Sequence, residues 1–77
     1  MEPLETPIRK TIKALNNYLM HLADRYQWEV MPVFHNKRSY KKVVRFLNNQ
    51  NITKTDRVMF TLIYINGYYH HTEETNR

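Results

Sequence analysis

The sequence predicts an α+β fold in which two helices pack on a small antiparallel sheet. Three observations predict it. An apolar stripe with helical spacing runs from Ile8 to Tyr26, the stretch from Trp28 to His35 alternates in side, and Asn66-Gly67 joins Val58–Ile65 to Tyr68-Tyr69-His70-His71 as a hairpin turn would. The resulting order is helix 7–26, edge strand 28–35, helix 40–49 and hairpin 58–71. A mostly α alternative replaces the hairpin with a third helix over 54–66.

The first helix has the clearest signature. Thr6-Pro7 offers an N-cap followed by proline at the first helical position, where its missing N–H costs nothing. Ile8, Ile12, Leu15, Leu19, Leu22 and Tyr26 then recur at alternating steps of four and three. That spacing serves packing within one chain. It also matches a coiled-coil seam, though with fewer than the usual three to four heptads, so a homodimer through Ile8, Ile12, Leu15, Leu19 and Leu22 is the alternative expectation.

In the next segment Trp28, Val30, Pro32 and Phe34 fall on one side and Glu29, Met31, Val33 and His35 on the other. Pro32 has no N–H to give a ladder, which places this strand at an edge. Ser39 reads as the N-cap of the second helix, with Tyr40, Val43, Val44 and Leu47 on its apolar face. For the final segment the hairpin is preferred because Val58–Ile65 is apolar on every side. The helical alternative uses Thr53-Lys54-Thr55-Asp56 as a capping box and Gly67 as the C-terminal cap.

Seventy-seven residues make one domain, 1–77, with frayed ends at 1–5 and 73–77. Such a chain hides only roughly 60–65% of its unfolded surface. Cysteine is absent, so no disulfide reinforces the core, and self-association is an expectation on those grounds. The 42% hydrophobic and 13% aromatic content separates it from disordered chains. The acidic, proline-containing start predicts no secretory leader, and the apolar run Val58–Ile65 is too short to span a bilayer. The expected setting is the cytosol of the producing cell or its host.

Residue types argue against catalysis. There is no cysteine nucleophile, the one serine is assigned to a helix cap, and the one glycine cannot build a phosphate-cradling loop. Acidic residues are scattered except for Glu73-Glu74. His70-His71 would point to opposite faces of a strand, and His21 with Asp24 supplies only two ligands, so neither metal nor cofactor is expected.

Charge carries the functional signal. The net charge is +5, and residues 37–57 hold seven cations against Asp56 alone. Lys41 and Lys42 lie in a first helical turn, where the dipole favours acids, and Lys41 and Arg45 form a like-charge i,i+4 pair. Cations set against their own helix imply an external anion. The expected phosphate contacts are Arg38, Lys41, Lys42 and Arg45, extended by Lys54 and Arg57. Phe46, beside Lys42 on the helix wheel, is a stacking or insertion residue in that reading, and Tyr40 belongs to the core.

Val43 through Val58 loosely resembles a helix-turn-helix, with Leu47, Ile52 and Val58 as apolar anchors. The turn carries Asn51 where glycine is usual, and Arg57 stands where an apolar residue is wanted, so the family is not assigned. Two functions from different classes follow. The first is a small DNA- or RNA-binding accessory or regulatory protein. The second is a protein-binding inhibitor or adaptor, as small phage-encoded effectors are, docking an acidic or nucleic-acid-handling host protein. The tyrosines Tyr18, Tyr64, Tyr68 and Tyr69, too many for so small a core, favour the second.

Overall fold

The computed structural model describes residues 7–70. Three α-helices fill them: α1 over Pro7–Tyr26, α2 over Ser39–Asn48 and α3 over Lys54–Ile65, the last continuing into a π-helical turn over Asn66–His70. No strand occurs among the described residues. The α+β class is therefore corrected, and the mostly α alternative fits. Thr6, the expected frayed ends and His71 lie outside the described residues.

α1 has the expected bounds, and its stripe is used inside the chain. Leu15, Leu19 and Leu22 are completely buried, leaving Ile12 half-buried and Ile8 at the exposed end. Leu15, Leu19 and Leu22 thus pack within the chain. Gln27 ends the helix with φ 57°, the left-handed region, while the Trp28 N–H donates to the Ala23 carbonyl at 3.0 Å. This six-residue closure turns the chain off the helix end without glycine. The Gln27 side-chain amide adds a bond to the Asp24 carbonyl.

The expected edge strand 28–35 is irregular backbone, bent at Glu29 and Val30, and no strand lies beside it among the described residues. Its ladder partner is a side chain. Asn16 accepts the Phe34 N–H at 2.7 Å through Oδ1 and donates through Nδ2 to the Phe34 carbonyl at 2.8 Å. Those are the two bonds a neighbouring strand would supply. They seat Phe34, 1% exposed, against the rings of Tyr64 and Tyr68.

α2 begins one residue before the expected 40–49 and ends one before it. Ser39 does not cap it: Arg38 holds the cap position without a side-chain bond, and Ser39 Oγ accepts from the N–H groups of His35 and Asn36. Asn36 Oδ1 accepts the Arg38 N–H instead, an Asx turn that starts the helix. Val43 and Leu47 are its buried residues.

The hairpin 58–71 is replaced by α3 and the π-helical turn. Thr53 caps α3 as the alternative expected, accepting the Asp56 N–H at 3.2 Å. Only one face of the apolar run is core. Phe60 and Tyr64 are buried, whereas Val58, Met59, Leu62 and Ile65 stay 42–53% exposed. Gly67 has no positive φ, so it neither caps nor turns a hairpin. It lets α1 approach: a methyl group there would sit 2.6 Å from Thr11 Cβ and overlap Thr11 Oγ1 and Cγ2. Tyr64 and Tyr68 are buried, Tyr18 is half-buried, and Tyr69 alone of the four expected surface tyrosines is exposed.

Asp56 fastens α3 to α1. Its buried carboxylate accepts from Tyr18 and Tyr26 hydroxyls and pairs with Arg25 at 3.0 Å. Chiefly the Tyr26 hydroxyl bond, aided by Thr53, Tyr18 and Arg25 against the cost of burial, holds this carboxyl below its usual range.

Candidate nucleic-acid interface

The spacing of α2 decides which side chains it presents. With Tyr40, Val43 and Leu47 turned to the core, a 3.6-residue repeat leaves Lys41, Lys42 and Arg45 outward, and Arg38 precedes them at the cap. All four are exposed. No acid among the described residues forms an ion pair with any of them, and α2 has no acidic residue in its first turn. The sequence expectation therefore holds for their exposure and for their lack of local neutralisation. Over residues 7–70 eleven cations stand against Asp24, Glu29 and Asp56, and Asp56 is committed to Arg25.

The two added positions behave differently. Lys54 is exposed at the start of α3. Arg57 is half-buried: its Nη2 donates to the Gln50 carbonyl at 3.2 Å and its Nε is buried, which sets it apart from the fully exposed cations of α2. Lys37 sits with Nζ 5.0 Å from the Tyr69 ring centroid, a cation–π contact.

Phe46 belongs to a recess that sequence spacing does not reveal. It meets Trp28 edge to face, with centroids 5.0 Å apart at 83°, and Trp28 lies near-parallel to Tyr26 at 6.3 Å and 18°. The three rings form a corner of a shallow recess of about 410 Å³ that Gln27, Glu29, Val30 and Gln50 also line. Trp28 arrives from the closure after α1 and Phe46 from α2, and only the fold joins them. Lys42 lies one turn before Phe46 on the same side of α2, so the basic face and the recess adjoin.

A second surface lies on the other flank of α2. Val44, Leu47, Val58, Phe60 and Leu62 line a groove of about 290 Å³, and Val58, Leu62, Ile65 and Tyr69 continue it outward at steps of four, three and four. This bears on the helix-turn-helix likeness. Leu47 and Ile52 are buried anchors as that motif requires, but Val58 is 44% exposed and the outer face of α3 is apolar. An apolar face offers no hydrogen bonds to base edges in a major groove.

Among the described residues no group of three or more His, Asp or Glu is placed to hold a metal, and no helix is long and apolar enough to cross a membrane. The His70 side chain and His71 are outside the described parts. No protein-family model, curated protein or solved structure matches this chain.

Proposed function

We propose that this protein binds nucleic acid through the outer face of α2, as an accessory or regulatory factor in the cytosol of its own or a host cell. The observation that carries the reading is the row Arg38, Lys41, Lys42 and Arg45, exposed on one side of a helix whose other side is core and facing no acid among the described residues. Such a row gains free energy from a polyanion by releasing the counterions condensed on it. Lys54 adds a fifth exposed cation at the start of α3.

Reversing Lys41, Lys42 and Arg45 to Glu tests the reading. These side chains touch nothing in the core, so thermal stability should change by less than about 1 kcal/mol, as for surface substitutions generally. DNA and RNA binding at low salt should be lost. For the unmodified protein, log affinity should fall against log salt with a slope of about −3, since each phosphate contributes about −0.9 on duplex and −0.7 on single strands. Absence of binding to any nucleic acid at low salt sinks the proposal.

One observation favours a second reading, docking to a protein: the apolar row on α3, which water should not be left to cover. Capture from cell extract with and without nuclease separates the two. A single stoichiometric protein retained after nuclease supports the protein-binding class.

A further inference from the structure

We infer that the corner formed by Tyr26, Trp28 and Phe46 receives an unstacked nucleobase, so that the protein binds single-stranded nucleic acid in preference to duplex. This rests on the nucleic-acid reading of α2 and names the form of its ligand. Sequence-tolerant single-strand binding needs two things side by side, cations that follow the backbone and aromatic rings on which a base can lie. Both are present within one turn of α2. Lys42 lies one turn before Phe46 and Arg45 immediately before it, and Phe46 packs edge to face on Trp28 in the wall of a recess of about 410 Å³.

The polar groups of the recess fit a base better than a phosphate. Glu29 carries a carboxylate that repels phosphate and accepts from an exocyclic base amine, while the Gln50 side chain offers both a donor and an acceptor and makes no bond within the described residues. Phosphates are thereby directed to Lys42 and Arg45, and the base to the rings. Duplex bases are stacked and cannot enter such a corner without being extruded, at a cost of a few kcal/mol. Among the described residues the helix that follows α2, α3, has an apolar outer face unsuited to reading a groove.

Trp28 is the only tryptophan, so its fluorescence reports on the recess without a label. The unmodified protein is titrated with oligoadenylate of roughly ten nucleotides, as DNA and as RNA, and with a duplex of equal length. Saturable quenching by single strands is expected, with duplex bound at least ten-fold more weakly and without quenching. Trp28→Phe should retain single-strand affinity within about two-fold. Trp28→Leu, which keeps the apolar packing but removes the ring, should lose roughly ten- to a hundred-fold, the worth of one stacked base. Circular dichroism confirms that both variants remain folded. Duplex bound as tightly as single strands, or single strands bound with Trp28 emission unchanged, overturns the inference while leaving the α2 reading intact. No binding of either form removes both. Quenching by tetramethylammonium but by no oligonucleotide overturns it by reassigning the recess to organic cations.

Discussion

At the scale of single residues Asp56 does the most to hold the helices in place. Its carboxylate gathers two tyrosine hydroxyls and the Arg25 guanidinium, linking the last two turns of α1 to the first turn of α3. Asp56→Asn keeps the size but puts an N–H₂ among donors, and should cost about 2–3 kcal/mol in urea denaturation at neutral pH. The pH response follows from the lowered carboxyl. Because the folded pKa lies below the unfolded value of about 3.9, the stabilisation is complete above the unfolded value and is lost as pH falls through the folded one. Acid unfolding should begin below about pH 4, and Asp56→Asn should show a shallower acid limb. At the alkaline end Tyr18 and Tyr64 are both pushed up to about 12, in each case first by burial. Between their ordinary value of about 10 and that limit the unfolded chain sheds protons that the folded chain keeps, so stability should fall with rising pH.

At the scale of elements the segment after α1 depends on one amide. Asn16→Ala removes both bonds to Phe34 and should cost about 1–2 kcal/mol, with faster hydrogen exchange at the Phe34 N–H as the local signature. Unchanged exchange there would show that Phe34 is held by its ring alone. The same amide explains part of what the sequence conceals. α1 is legible because its own stripe, Leu15 to Leu22, states its buried face, and the Thr53 cap is legible because it is local. The 28–35 segment alternates in sequence as a strand does, yet nothing local says that a helix side chain will stand in for the missing ladder. α3 misleads in another way. Apolar residues on all sides imply burial on all sides, and here half of them face water. The basic row of α2 is legible from spacing, whereas the ring corner requires Trp28 and Phe46 to meet across a loop, and the Arg57 bond is to a backbone carbonyl that no pattern marks.

At the scale of the molecule the described residues divide their surface between chemistries. α2 turns cations outward, and the outer side of α3 is a row of Val58, Leu62, Ile65 and Tyr69. Uncovered apolar rows on small domains associate. Light scattering should give a mass that rises with concentration, and Leu62→Lys should return it to that of one chain. Leu62 is 53% exposed, so the denaturation midpoint should stay within about 0.5 kcal/mol of the original. A constant monomer mass for the unmodified chain would leave the row uninvolved in self-association.

Pro32 acquires a role from the lack of a sheet. Val30, Met31 and Val33 donate their N–H groups to no partner among the described residues, and Val30 is 71% and Val33 47% exposed. A non-helical segment with unpaired N–H donors and apolar side chains can be recruited as a strand by another chain. Proline at its centre removes the donor there and fixes a backbone angle that resists in-register stacking. Replaced by valine, the run Val30 to Phe34 would become five uncharged residues of high strand propensity, and fibril nucleation would compete with folding.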